Sequence, residues 1–492
     1  MQSTPRISPG RRFARNVTSL AAGGVVAQVA FVLIEVVLAR QLGAATYGIF
    51  SISYSVCVFA LIVTDLGIDW WIVQEGSRDR AKLPVLLGNA LRLKGTLVLI
   101  TYLSAIAVVW AIDSPTELKV FLTVFALFVP GMSVSDTLAA VFSAEQRMHV
   151  NAVFQALAPL TVLICALAAY LLAPSLIGVG ASYAVGMTVV ATGWLAWTVR
   201  EHQVAGDFRG ALRMAAESYH YALFSGLSQV FSRIDIVLLA WLAGPIEAGL
   251  YAAGFKFVDL FYKVPVLLGR VMAPALFVSS RKPDREEFHG LVSAYARGLV
   301  LAGVVASVIT WSLADEIVGL LFGDQYADSA QMLQILSVLM ALKCMASVSQ
   351  WVLSSLDKHA LRWGSMAVCV ACSIGLSVLL IPRLGSLGAA YATVASNILL
   401  VLLQVTGGFG RKLARDAYKW FLVPAGIAAA VLLLVVALPI DSHVLSTVCA
   451  VILTSAALIA TRYIRVGEVH DILRAFARMR AARAPHSDSG NT

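Results

Sequence analysis

The sequence predicts an all-α polytopic membrane protein of about 14 transmembrane helices, arranged as two pseudo-symmetric six-helix lobes plus two C-terminal helices. Three observations predict it. Of the 492 residues, 59% are hydrophobic and only 13% charged, too little polar surface to cover a soluble domain of that length. Apolar runs of about 20 residues recur along the whole chain, each long enough as a helix to cross a hydrocarbon layer of about 30 Å. The chain also repeats itself. Leu38–Phe50 (LARQLGAATYGIF) returns 201 positions later as Leu239–Tyr251 (LAWLAGPIEAGLY), aligning Ala39 with Ala240, Gly43 with Gly244 and Gly48 with Gly249. Pro174–Ala184 (PSLIGVGASYA) returns 208 positions later as Pro382–Ala392 (PRLGSLGAAYA).

The predicted spans are 17–40, 47–72, 93–112, 119–142, 151–173, 176–198, 219–243, 247–278, 291–313, 330–354, 362–382, 386–408, 420–439 and 444–463. All ten tryptophans fall near the ends of these spans, where indole rings favour the headgroup layer. Six spans per half is an even number, so both halves start on the same side and the repeat is parallel, with its pseudo-twofold axis along the membrane normal. The predicted organisation is a basic N-terminus (1–16), a first lobe (17–200), a linker (201–218), a second lobe (219–410), two further helices (411–464) and a basic tail (465–492).

Lys and Arg concentrate at the N-terminus and in every second loop, which places both termini of a multi-pass membrane protein in the cytoplasm. The net charge of +9 is spread over short loops beside the spans, so nucleic acid is not expected as a partner. Cys57, Cys165, Cys344, Cys369, Cys372 and Cys449 all fall inside spans, arguing against a disulfide framework and a zinc site. No Walker motif, no HExxH and no sizeable outer loop of acidic or His-rich residues is present, so the chain is not expected to be an enzyme or to carry a cofactor. From Leu313 to Ser329 a short interfacial helix is expected. The tail from Arg462 to Arg483 has the spacing of an amphipathic helix on an anionic leaflet, or of a solvated positive tail, with a disordered end from Pro485.

An ionisable group within a span costs at least a few kcal/mol and is a functional candidate unless pairing explains it. Lys256, Asp259, Lys263 and Arg270 are spaced by 3, 4 and 7 residues, one stripe of a helix with net positive charge. Such a stripe suits a polyanion, because ammonium and guanidinium groups replace the water a phosphate loses. The competing reading is that Asp259 pairs with Lys256 and Lys263 on a helix facing its own bundle. Arg233 is read as lining the same cavity, with Asp235 about 200° away on the wheel as its counter-charge. Lys343 joins the cationic set, or else snorkels or pairs. The first half carries Glu35, Asp65, Asp69 and Asp136, offset in this reading only by Arg40. That asymmetry suggests a coupling-cation site in the first lobe, with Glu35 the best candidate, apart from an anionic-substrate site in the second. Asp65, Asp69 and Asp136 are read as satisfied by headgroup water.

LARQLGAATYGIF followed by TDLGID (Thr64–Asp69) resembles the opening hairpin of the polysaccharide transporter and O-antigen flippase family, within the multidrug/oligosaccharidyl-lipid/polysaccharide (MOP) exporter superfamily. LLFGDQYADSAQMLQILS (Leu320–Ser337) is similar to its interfacial GxxY segment, and SSLDKHALR (Ser354–Arg362) to its short cytoplasmic turn. The resemblance spans almost the whole chain. It implies two lobes exchanging inward-open and outward-open states, and translocation of an undecaprenyl-pyrophosphate-linked oligosaccharide with its pyrophosphate in a cationic cavity. A coupling ion, proton or sodium, and a polysaccharide polymerase and glycosyltransferases are the expected partners. Two alternatives remain open at this point: export of cationic drugs by the related multidrug branch, which favours an acidic cavity, and a non-transporting scaffold of a polysaccharide assembly complex.

Overall fold

The repeated turn is the organising feature. At Gly43 the first helix breaks with φ 77° and ψ 169°, and at Gly244 the second copy breaks with φ 92° and ψ 175°, a backbone conformation that glycine adopts without Cβ strain. The two turns meet. A Cβ at Gly48 would lie 1.7 Å from the Pro245 carbonyl oxygen, and one at Gly249 would lie 2.1 Å from that of Ala44. Each copy's second glycine therefore packs on the other copy's turn, which puts both turns at one end of the molecule and a local pseudo-twofold axis between them.

The computed structural model describes residues 9–111, 115–172, 175–283, 285–437 and 443–460. The basic tail predicted at 465–492, with its amphipathic stretch from Arg462, lies outside the described residues, as do residues 1–8. The first half comprises α1 (Pro9–Asp65), α2 (Ile68–Arg78), α3 (Leu83–Ala111), α4 (Thr116–Phe125), α5 (Phe128–Ala144), α6 (Met148–Leu172) and α7 (Leu176–Glu201). The second comprises α8 (Phe208–Ala243), α9 (Pro245–Ser279), α10 (Glu286–Ser312), α11 (Ala314–Phe322), α12 (Ser329–Ser355), α13 (His359–Leu384) and α14 (Ser386–Gly408). Helices α15 (Arg411–Ala437) and α16 (His443–Ala460) follow and pack against α10. No strand occurs among the described residues, and 11 helical stretches are long and apolar enough to cross a membrane, which makes this a multi-pass all-α membrane protein. The predicted 14 are not all recovered by that measure. α1 contains two predicted spans on either side of Gly43, α9 with its ionisable groups is not among the 11, and the apolar part of α16 is shorter.

Two predicted spans are broken. The stretch 47–72 ends as a helix at Asp65, because Leu66 and Gly67 take positive φ, 46° and 74°, before α2 begins. Gly67 lies against α8, where a Cβ would be 2.4 Å from the Ala222 amide nitrogen, and the Ser218 hydroxyl donates to the Leu66 carbonyl at 2.8 Å. The stretch 119–142 breaks between α4 and α5. Pro130 has no N–H to donate to the Ala126 carbonyl, which instead accepts from Val129 at 3.1 Å. The predicted linker 201–218 is helical from Phe208 onward. Asp207 caps α8 by accepting from the Gly210 amide at 2.8 Å, and its own amide donates to Asn89 of α3 at 2.9 Å.

Burial divides into three groups. One joins α2, α3 and α5 around Leu87, Val141 and Trp194, and takes in Ala211 and Met214 from the start of α8. A second runs from Ile236 of α8 through α9, α10, α12 and α14 to α15 and α16. The third crosses the halves: Ile34, Leu38, Tyr47 and Phe50 of α1 pack with Leu250 and Ala253 of α9 and with Val318, Phe322 and Tyr326. Helix α8 thus starts in the core of one half and ends in that of the other. Trp194, expected in a headgroup layer, is 1% exposed and stacked on Phe154 at 4.4 Å.

The expected interfacial helix is α11, followed by a 3-10 turn at Asp324–Tyr326. It straps the second half onto the first. Arg40 donates through Nε to the Leu321 carbonyl at 2.7 Å and through Nη2 to that of Leu320, taking up carbonyls that the end of α11 leaves unpaired. In return Gln325 donates to the Ala39 and Arg40 carbonyls at 3.2 Å, and the Tyr326 hydroxyl to that of Ala39 at 3.1 Å. Burial raises the Tyr326 phenol above its ordinary pKa and so keeps it a donor.

The glycine crossing yields a stability prediction. Gly48→Val forces α1 and α9 apart at a cost of about 1–3 kcal/mol, read as a lower melting temperature of the purified protein. Gly290→Ala, whose added Cβ meets nothing within 4 Å, leaves the melting temperature unchanged. Equal melting of the two variants would contradict the crossing.

Candidate functional site

Below the paired turns a cavity lies between α1, α8 and α9. Its first-half wall is Glu35, Tyr47, Phe50, Ser51 and Tyr54 of α1. Its second-half wall includes Ser232, Arg233 and Asp235 of α8 with Phe255, Lys256 and Asp259 of α9. The repeat explains the placement. Glu35 and Arg233 precede their breaking glycines by 8 and 11 residues, and Lys256 and Asp259 follow theirs by 12 and 15. At ~1.5 Å per residue, all four lie about 12–22 Å from the turns, in the interior of a ~30 Å layer.

Two ion pairs occupy the cavity. Lys256 Nζ donates to Glu35 Oε1, joining the halves, and the Tyr47 hydroxyl donates to Glu35 Oε2 at 3.0 Å. Both side chains of the pair are only 14% exposed. Removing one partner from such a pair leaves a stranded charge, at a cost of about 3–5 kcal/mol. Arg233 Nη2 donates to Asp259 Oδ2 at 3.2 Å, and its guanidinium lies over the Tyr54 ring of the opposite half at 5.4 Å. These contacts overturn one competing reading and correct two sequence expectations. Asp259 pairs with Arg233 rather than with Lys256 or Lys263, because α8 brings a bidentate donor against that face of α9. Asp235 is not the counter-charge of Arg233. It accepts from the Tyr251 hydroxyl, from Thr393 at 3.2 Å and from the Ile236 amide at 2.8 Å, so its oxygens are taken up by hydroxyls and an amide of the second half at the cavity wall. Glu35 does not sit apart from the cations as a separate first-lobe site; the axis brings it onto Lys256.

The five predicted cations are not in one place. Arg233 and Lys256 line the axial cavity. Lys343 of α12 and Lys263 of α9 do not. Lys343 is half-buried against two aromatic rings, 4.6 Å from the Tyr262 centroid and 5.8 Å from that of Phe255, and Lys263 is exposed. The Arg270 side chain lies outside the described residues. A cation over a desolvated ring gains about 2 kcal/mol, which offsets part of the cost of an ammonium without a carboxylate.

One residue escaped the sequence reading. Lys94, at the start of the third predicted span, is 4% exposed and bridges Asp65 at 2.9 Å and Asp69 at 2.7 Å. Arg40 is therefore not the first half's sole offset to its acids, and Asp65 and Asp69 are held by an ammonium rather than by headgroup water. Their signal was a lysine one turn into an apolar run, at the same end as the two aspartates. All six cysteines are free thiols, and no cluster of metal-ligating side chains occurs among the described residues. What the axial cavity offers chemically is two desolvated cations whose carboxylate partners come from opposite halves, a site where an anion competes with side chains for the same donors.

Comparison with known proteins bears on this arrangement. Residues 13–280, more than half of the chain, match the family described as polysaccharide biosynthesis protein. The chain is 23% identical over 413 residues to the probable flippase AglR of Haloferax volcanii, covering 80% of this chain and 81% of that one. Its fold is similar to that of the lipid II flippase MurJ in an inward closed conformation, with TM-score 0.74 at 12% identity over 90% of this chain and 98% of that one. It is also similar to an inward-facing multidrug resistance transporter of the MATE family, with TM-score 0.66 at 12% identity over 81% and 99%. The breaks at Gly43 and Leu66–Gly67, both inside the matched stretch, are the structural content of the LARQLGAATYGIF and TDLGID motifs. The chain belongs to the polysaccharide biosynthesis protein family, and its fold is that of the MOP exporter superfamily.

Proposed function

We propose that this protein is a flippase that moves a lipid-linked oligosaccharide across the membrane for surface polysaccharide assembly. The observation that carries the reading is the axial cavity in which Arg233 and Lys256 are held by Asp259 and Glu35. Family membership and the likeness to AglR support the transport of a glycan carrier, and two mid-membrane cations suit the phosphates of such a carrier better than they suit a cationic drug. A scaffold has no need of them.

The reading is an undecaprenyl-pyrophosphate oligosaccharide taken up from the cytoplasmic side of a bacterial inner membrane, with both termini in the cytoplasm. The six-helix lobes at 17–200 and 219–410 rock about the axis at Gly48 and Gly249 in alternating access. A diphosphate takes the donors of Lys256 and Arg233, frees Glu35 and Asp259, and thereby undoes the ion pair that joins the halves. A freed Glu35 is then the acceptor for a coupling proton or sodium ion. Delivery and removal of the carrier fall to glycosyltransferases and a polymerase.

Depletion of the protein should make the lipid-linked precursor accumulate in the inner leaflet of spheroplasts; normal appearance of the precursor in the outer leaflet would overturn the reading. Charge reversal at Lys256 and Lys263 together should impair translocation per molecule of protein present in the membrane, and full activity in that double variant would remove the cationic-site assignment. Glu35→Gln, which keeps a hydrogen-bond acceptor for Lys256 but removes the charge, should slow translocation per folded molecule at least tenfold, about 1.4 kcal/mol. Unchanged translocation would take Glu35 out of the cycle.

A further inference from the structure

The cations near the axis differ in one respect that the sequence stripe conceals. Arg233 and Lys256 each hold a carboxylate, whereas Lys263 and Lys343 have no carboxylate oxygen within 4.0 Å among the described residues. These two lysines form a second group. Lys343 Nζ stands over the ring of Tyr262, the residue next to Lys263. The packing of α12 on α9 fixes them there. Ser347, one turn beyond Lys343, donates to the Pro265 carbonyl at 3.1 Å. One turn further Trp351 fills the space over Gly269, where a Cβ would lie 1.9 Å from its Nε1. Lys263 follows Lys256 by two turns of α9, farther from the paired glycine turns and nearer the end from which a substrate headed for the cavity would come.

An anion arriving at Lys256 must break an ion pair to be bound. At Lys343 and Lys263 it breaks none. We propose that Lys343 and Lys263 form an entry subsite for a diphosphate group, filled first and emptied into the axial cavity when Glu35 releases Lys256. The inference rests on the flippase reading for its substrate class, but its binding order is open to direct measurement. Tyr262 and Phe255 hold the Lys343 ammonium in a fixed place with no carboxylate oxygen within 4.0 Å among the described residues.

The test uses the full chain in nanodiscs of zwitterionic lipid, with inorganic pyrophosphate and farnesyl diphosphate as probes and calorimetry as readout. Lys343→Gln and Lys263→Gln should each weaken binding of both probes at least tenfold, and Lys343→Arg should keep wild-type affinity. Glu35→Gln should reveal a second binding event, and that event should survive in the Glu35→Gln, Lys343→Gln double variant. Lys263 is exposed, so its variant remains informative if Lys343→Gln melts early. Wild-type affinity in both lysine variants together with loss in Lys256→Gln would show direct entry to the axial cavity, overturning the subsite and leaving the flippase reading intact. No binding to the wild type would overturn the subsite alone, since precursor accumulation judges the transport reading separately. A repeat in phosphatidylglycerol nanodiscs should change probe affinity less than threefold; complete displacement would mean that bulk lipid headgroups fill the site, which also overturns it.

Discussion

The close crossing of α1 and α9 is the constraint on which the rest depends. Two backbones approach so nearly at Gly48 and Gly249 that neither position has room for a Cβ, and everything below follows from that contact. It sets the distance between the first-half wall of the cavity and the second-half wall. It lets a glutamate on one half reach a lysine on the other, and it brings the stretch of α1 just before Gly43 under α11, where Arg40, Gln325 and Tyr326 exchange hydrogen bonds with backbone carbonyls. A bulkier pair of turns would hold the same residues too far apart for any of these bonds.

The symmetry of the backbone and the asymmetry of the charges do different work. Gly43 and Gly244 break their helices in nearly the same conformation, and Tyr54 and Phe255 occupy equivalent positions beside the axis, each with a cation over its ring. The ionisable groups have no such correspondence. Glu35 aligns with Ile236 and Lys256 with Ser55, so a carboxylate of one copy faces an ammonium of the other. Ion pairing across a symmetric frame holds the halves together, and on the proposed reading a charged substrate would replace those groups and so couple occupancy of the cavity to the contact between halves.

The sequence carried the backbone further than it carried the site. The repeat, the apolar spans and the breaking glycines are local or periodic signals, and they account for the helices, for the turns meeting at one end and for α11. The two broken spans were missed because hydropathy does not register a left-handed Gly67 or the missing amide of Pro130. At the site, the stripe on α9 was legible as a charge pattern, but its partners were not: Lys256 finds Glu35 at a separation of 221 residues, and helical spacing along α9 suggested pairing within the stripe instead. Asp235 has a satisfied environment made by Tyr251 and Thr393, and only the packing of α8 on α9 and α14 brings those hydroxyls to it. Lys94 was legible and was passed over, because a lysine at the edge of a span reads as a boundary residue until two carboxylates are found at its ammonium.

The central claim is that anionic carrier headgroups cross the membrane through this chain, by way of its axial cations. Its most direct test is translocation in proteoliposomes of the purified chain loaded with a fluorescent undecaprenyl-pyrophosphate oligosaccharide, read by an external glycosidase that reaches only the outer leaflet. Wild-type protein should bring all of the labelled carrier within reach of the enzyme, while protein-free vesicles and vesicles with Lys256→Glu should stop at the outer-leaflet half. Equal digestion with and without the protein would contradict the account.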